Sequence, residues 1–101
     1  MATPNTLFAL LGVDDVPGME TRLAGLSPWP IQKIGDGQWL IVAPAATTTK
    51  EISDKLGITG SDSPVRGIVL RVENYFGRYA SFIWEWITTK LGAELGNTTT
   101  V

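Results

Sequence analysis

Two adjacent carboxylates, Asp14 and Asp15, are the clearest candidates for chemistry in the chain. They follow the apolar run at residues 7–13, which predicts a central strand covered on both faces. Adjacent carboxylates can bind a divalent cation through their oxygen atoms. Aspartate is also favoured in turns and at helix N-termini, where it accepts hydrogen bonds from free backbone amides. We therefore favour a turn and helix cap, and keep Asp14 and Asp15 as candidate catalytic residues and Asp14 as a candidate metal ligand.

Histidine and cysteine are absent from all 101 residues. Their absence excludes Ser-His-Asp and Cys-His catalysis, disulfides and cysteine-based zinc sites. A metal site would need oxygen ligands alone, which suits magnesium, manganese or calcium. We predict a protein without a cofactor whose function does not depend on catalysis. A cytoplasmic location is compatible with the lack of cysteine.

The charge balance argues against a nonspecific nucleic-acid-binding protein. Lysine and arginine total 8 and aspartate and glutamate total 10, for a net charge of -2. Nucleic-acid binding requires a basic face that displaces counterions. Residues 66–79 mix arginine with tyrosine and phenylalanine, but acidic residues surround and interrupt this stretch. The apolar run at residues 7–13 is far shorter than the roughly 20 residues that span a bilayer, so we expect no membrane partner.

Local patterns predict seven elements. Asp15 and Pro17 are typical of a helix start, and Thr48 with Glu51 forms a capping-box pattern. Glycines at 35 and 37 between apolar arms predict a β-hairpin, and Pro30 makes its first arm an edge strand. The predicted strands cover residues 6–13, 31–34, 39–42 and 65–73, and the predicted helices cover residues 16–26, 49–56 and 79–91.

The order of these elements predicts an α+β fold. Strand, helix, strand, strand, helix, strand is the β-α-β-β-α-β order of the ferredoxin-like split βαβ plan. We expect an antiparallel sheet with the first two helices on one face, and an extra C-terminal helix. Residues 1–96 would form one domain, and residues 97–101 a polar C-terminal tail that frays.

The chain resembles a group of small bacterial proteins of the SinR-family type, which are in turn similar to CRISPR adaptation nucleases and VapD toxins. The resemblance is carried by residues 7–14, 38–42, 49–56 and 68–72 and by the Trp-Glu-Trp-Ile motif at 84–87. It implies an acidic residue after the first strand, Asp14 or Asp15, that holds a metal in a dimer cleft. The chain lacks the basic residues that follow this acid in the nucleases.

The last predicted helix is apolar around most of its circumference. Trp84 and Trp86 are two residues apart, so they point about 200° apart on a helix. A single packed face would not bury both, and helices that are apolar all round are normally covered on several sides. Phe82 and Tyr79 add aromatic surface nearby, and aromatic residues commonly anchor interfaces. The alternative is a wide core contact with one exposed tryptophan.

These observations predict a small non-catalytic interaction module. It would self-associate as a homodimer, or dock on a protein partner as an inhibitor or regulator. Tyr79, Phe82, Trp84 and Trp86 are the predicted partner-binding residues, together with an open edge strand that could pair with a second copy. Two alternatives stay open: a metal-dependent nuclease that uses Asp14, and a regulatory domain that senses a small ligand.

Overall fold

Four antiparallel strands and three helices form the fold, so the predicted α+β class is confirmed. The structure is a computed structural model that describes residues 4–59 and 65–93. The strands are β1 (Asn5–Leu11), β2 (Ile31–Gly35), β3 (Gln38–Pro44) and β4 (Ile68–Val72), and the helices are α1 (Val16–Ala24), α2 (Thr49–Lys55) and α3 (Ser81–Leu91). The predicted tail at 97–101 and the loop at 61–64 lie outside the described residues. Within the described part of the chain, no helix has the length and apolar character needed to cross a membrane.

The strand order across the sheet is β2-β3-β1-β4, and every neighbouring pair is antiparallel. β1 lies in the centre, where Leu7 is opposite Val42 of β3 and Val72 of β4. Since β1 and β2 are each antiparallel to β3 between them, they run parallel and are joined through α1. In the same way β3 and β4 are joined through α2, with β1 between them. β2 is an edge strand, as Pro30 predicted.

The central strand ends earlier than the apolar pattern predicts. The expected strand continued to residue 13, but β1 stops at Leu11 because Gly12 adopts a φ of 75°, which turns the chain away from the sheet. β4 is shortened at the same level of the sheet. It was predicted from residue 65, yet its pairing begins at Ile68, opposite Leu11, the last residue of β1.

The helix starts follow their capping signals. Asp15 accepts a hydrogen bond from the Gly18 amide at 3.2 Å and caps α1. At α2 the Thr48 hydroxyl accepts from the Glu51 amide, and the Glu51 carboxylate accepts from the Thr48 amide, which completes the predicted capping box. Gly57 ends this region at a φ of 75°, a conformation that glycine adopts without steric cost.

The two faces of the sheet carry separate apolar clusters. On the first face α1 and α2 both pack against the sheet, as predicted. On the second face α3 packs against Leu7, Leu40 and Val42. The buried members of the first cluster are Phe8, Leu10, Val13, Met19, Leu23, Leu26, Trp39, Ile41, Ala43, Ile52 and Leu56. β1 is therefore covered on both faces, as its unbroken apolar sequence indicates.

Candidate functional site

Helix α3 presents a wide apolar arc to the second face of the sheet. Ile83 and Ile87 form the buried centre of this arc, and Trp84 and Trp86 flank it on either side. Both indoles are half-buried and pack against the domain's own second cluster. One broad face therefore covers both tryptophans in part and buries neither completely. Their role in partner binding stays a prediction.

Asn5 ties the end of α3 to the start of β1. Its side chain is only 5% exposed, and its Nδ2 donates to the carbonyl oxygens of Lys90 at 3.0 Å and of Ala93 at 2.6 Å. Carbonyls at a helix C-terminus have no partner within the helix. Asn5 supplies donors to two carbonyls in this region and so fixes where α3 ends on the sheet.

Residues 74–80, which we call the strap, connect β4 at one edge of the sheet to the start of α3. The strap is held at two points. The Tyr75 ring is stacked on Trp84, with ring centroids 6.0 Å apart and an interplanar angle of 9°. The Tyr79 hydroxyl donates to the carbonyl oxygen of Ile34 on β2, at the opposite edge of the sheet. The strap thus spans the second face beside α3.

Four aromatic side chains on the strap and the first turn of α3 are exposed, and three of them are more than half exposed. Phe76 is fully exposed, Tyr79 is 52% exposed and Phe82 is 56% exposed. We call these three residues the aromatic surface. A second apolar region, the edge patch, consists of Ile68 and Leu70 on the edge strand β4, which are 60% and 43% exposed. Clustered exposed apolar groups of this kind are typical of interaction sites.

A cavity of about 290 Å³ lies between the strap, α3 and the sheet. Its floor is formed by buried aliphatic side chains, among them Leu7, Leu40, Ile83 and Ile87. Arg78 and Tyr79 of the strap also line it. The cavity therefore combines an apolar floor with one cationic residue, Arg78, because the Tyr79 hydroxyl already donates to Ile34.

Asp14 and Asp15 both make contacts within the fold. Asp15 caps α1, and the exposed Asp14 carboxylate lies 3.9 Å from the Arg66 guanidinium. Asp14 and Asp15 line a shallow concavity together with Arg66 and Arg22. Two guanidinium groups beside the carboxylates disfavour a cation at this place. Among residues 4–59 and 65–93, no three acidic side chains come together where they could hold a metal ion.

The arginines do not form one basic face. Arg66 pairs with Asp14, and Arg71 pairs with Glu73 at 3.2 Å between Nε and Oε2. Within the described part of the chain, Arg78 has no ion pair. The basic and aromatic residues at 66–79 are therefore divided between separate places, and only Arg78 lies beside the aromatic surface.

Comparisons with known proteins do not identify a family. No family model matches the chain, and neither the curated proteins nor the solved structures include a match. The resemblance to SinR-family proteins accordingly stays a prediction.

Sequence reasoning placed Phe76 only in the basic and aromatic stretch at 66–79 and not among the partner-binding residues, and it missed Asn5. The sequence around Phe76 has no periodicity that assigns it to a buried or an exposed face. Asn5 contacts residues 85 and 88 positions away, and no local pattern indicates such a contact. The sequence predicted an edge strand only at the first hairpin arm, so the edge position of β4 and the exposure of Ile68 and Leu70 were not predicted.

Proposed function

We propose that this protein is a small non-catalytic interaction module that forms a homodimer through its aromatic surface. The observation that supports the proposal most directly is the full exposure of Phe76 beside the half-exposed Tyr79 and Phe82. Phenylalanine belongs to the residue types most often found inside proteins. Two of them exposed within seven residues, with a tyrosine between, favour an interface.

We further propose that the domain is ferredoxin-like. Two βαβ units interlock in it, each with a strand of the other unit between its own two strands. α3 and the strap then form an added layer on the face that α1 and α2 leave free. A cytoplasmic location, with which the lack of cysteine is compatible, belongs to the same proposal. So does action as an inhibitor or regulator, since a dimer of this size would act by docking on a larger protein.

The energy available from the aromatic surface suits a dimer of moderate affinity. Burying one large apolar side chain contributes about 1.5–3 kcal/mol. Because Tyr79 and Phe82 are only about half exposed, the six side chains of the two copies would contribute less than six full burials, on the order of 6–12 kcal/mol, against an association cost of about 4–15 kcal/mol. The balance predicts a dimer that forms reversibly with concentration.

Charges around the aromatic surface suit a second copy of the same chain. A two-fold interface requires a surface that is complementary to itself. Arg78 precedes Tyr79 in the strap, and the exposed Glu85 lies one turn after Phe82 on α3. A positive charge within the aromatic surface and a negative charge beside it can pair across a two-fold axis. The net charge of -2 adds little repulsion between copies.

Analytical ultracentrifugation over a range of protein concentrations tests the proposal. Phe82→Gln removes an exposed ring from α3 while keeping a good helix former. Ile68→Gln is the matched control, because it also replaces an exposed apolar residue but lies on the edge strand β4. We expect the wild-type chain and Ile68→Gln to dimerise and Phe82→Gln to remain monomeric at the same concentrations.

The other outcomes are equally informative. If Ile68→Gln dissociates the dimer and Phe82→Gln does not, edge-to-edge pairing of β4 is the interface and the aromatic surface is not. A wild-type chain that stays monomeric at all accessible concentrations would refute self-association. Circular dichroism of each variant checks that the fold is retained.

A further inference from the structure

We infer that the cavity beneath the strap binds an unbranched aliphatic carboxylate of about ten carbon atoms. The inference goes beyond the proposed dimer, because it concerns a small molecule bound within one copy, whose carboxylate would bind Arg78 in place of Glu85 of a second copy. It depends on the size and lining of the cavity and on the position of Arg78.

The size and lining of the cavity select an aliphatic chain. Its volume is about 290 Å³. A water molecule occupies about 30 Å³ of liquid and a methylene group is of similar size, so about ten such groups fill the space. Leucine, isoleucine and valine side chains from the sheet and α3 form its floor, and the aromatic side chains of Tyr75, Phe76, Tyr79 and Trp84 also line it. Ligand sites of this kind are mostly apolar, with a few polar groups that fix orientation.

The polar groups of the cavity select a carboxylate as the head group. Arg78 lines the cavity and forms no ion pair with any residue in the ranges 4–59 and 65–93. Glu73, the acidic residue closest to it in the sequence, is paired with Arg71. A guanidinium group binds a carboxylate through two parallel hydrogen bonds. A positively charged amine would meet the same guanidinium group as a like charge, so the site discriminates by sign.

Access to the cavity depends on the strap. The strap is anchored by the stacked Tyr75 and Trp84 rings and by the hydroxyl of Tyr79 on Ile34. Between these anchors Phe76, Gly77 and Arg78 are exposed. An added Cβ at Gly77 would have no atom within 4 Å, so no other part of the chain packs over Gly77 on that side. The ligand tail would enter below these residues, and its carboxylate would remain beside Arg78.

Isothermal titration with three ten-carbon probes tests the inference on the full chain, below the concentrations at which the probes form micelles. The probes are decanoate, decanol and decyltrimethylammonium. We expect one decanoate to bind per chain and decyltrimethylammonium to bind at least tenfold more weakly. Amide shifts in nuclear magnetic resonance spectra should locate decanoate at Leu40, Ile83 and Ile87.

Three variants separate head-group recognition from filling of the cavity. Arg78→Gln should weaken decanoate binding about tenfold, the effect of losing a charge-assisted hydrogen bond, and leave decanol binding unchanged. Val72→Phe places a ring in the cavity and should abolish binding of both. Gly77→Ala is the matched strap control and should bind decanoate as the wild type does.

Three results would overturn the inference. They are equal binding of decanoate and decyltrimethylammonium, unchanged decanoate binding in Arg78→Gln, and wild-type binding in a folded Val72→Phe variant. If Val72→Phe does not fold, Ile34→Phe fills the cavity from the opposite edge strand. The amide shifts of the wild-type chain decide independently of any variant, because shifts outside the cavity would also refute the site.

Discussion

Replacement of Asn5 by alanine would release the end of α3 from the sheet. The Asn5 side chain donates to the carbonyls of Lys90 and Ala93 at 3.0 and 2.6 Å. Each hydrogen bond contributes about 0.5–1.5 kcal/mol net, so the pair contributes about 2 kcal/mol. In a domain of this size a loss of 1 kcal/mol lowers the melting temperature by about 4–8 °C. Asn5→Ala should therefore melt roughly 10 °C below the wild type.

Asn5→Asp should lose more stability than Asn5→Ala at neutral pH. The aspartate side chain has nearly the shape of asparagine, but its carboxylate cannot donate a hydrogen bond and would face the carbonyl oxygens of Lys90 and Ala93. The C-terminal end of a helix also carries partial negative charge, which repels the carboxylate. Protonation in acid returns one donor, so the difference between Asn5→Asp and Asn5→Ala should shrink as the pH falls.

Thermal unfolding and hydrogen exchange together test the role of Asn5. The melting temperature gives the overall loss, while amide exchange should accelerate first in α3 and only slightly in α2. Asn74→Ala is the control, because Asn74 lies exposed at the start of the strap. Wild-type melting of Asn5→Ala, or faster exchange spread evenly over all helices, would refute the assigned role.

Three further predictions concern the glycines Gly37 and Gly12 and the acidic residues Asp54 and Asp14. Gly37 and Gly12 have φ values of 72° and 75°. An alanine Cβ at Gly37 would overlap a backbone carbonyl, whereas an alanine Cβ at Gly12 would have no atom within 4 Å. Gly37→Ala should therefore lower the free energy of unfolding by clearly more than the roughly 1–2 kcal/mol expected for Gly12→Ala. Equal losses of unfolding free energy for the two variants, measured in urea, would contradict this. Hydrogen bonds from the Lys50 and Thr59 side chains lower the pKa of Asp54 below its ordinary value of 3.8. The contribution of these hydrogen bonds to folding stability is therefore present above pH 3.8 and is lost as the pH falls through the pKa of Asp54 in the folded protein. Acid titration of Asp54→Asn should show a free energy of unfolding without this pH-dependent contribution. Asp14→Ala should leave stability nearly unchanged, and cleavage of nucleic acid with magnesium or manganese that this change abolishes would establish a nuclease instead.

The parts of the fold that the sequence predicts well are determined by neighbouring residues. The Thr48–Glu51 capping box and the Asp15 cap involve side chains and amides three residues apart, so the pattern alone specifies them. The hairpin between β2 and β3 is similarly local. Element order together with the apolar character of β1 then predicts the sheet and the shared face of α1 and α2.

The site could not be predicted to the same extent, because its contacts join distant residues. Asn5 reaches the end of α3, and Tyr79 reaches Ile34 across 45 residues. The helical angle between Trp84 and Trp86 was correct as geometry, but it did not reveal how wide an arc the sheet would cover. Which aromatic residues remain exposed depends on the path of the strap, and no periodic pattern describes that path.

The width of the sheet explains why exposed apolar groups lie on its second face. Four strands about 4.8 Å apart give a sheet face nearly 20 Å wide, and one helix with its side chains is about 10–12 Å across. On the first face two helices, α1 and α2, cover this width. On the second face α3 alone covers about half, and the remainder contains the cavity, the strap and the edge patch. A partner seated on the second face would bury apolar groups that are already exposed, whereas a partner on the first face would meet a layer that is complete. We therefore expect protection from exchange on dimerisation to concentrate in the strap and α3, and protection confined to α1 and α2 would contradict this account.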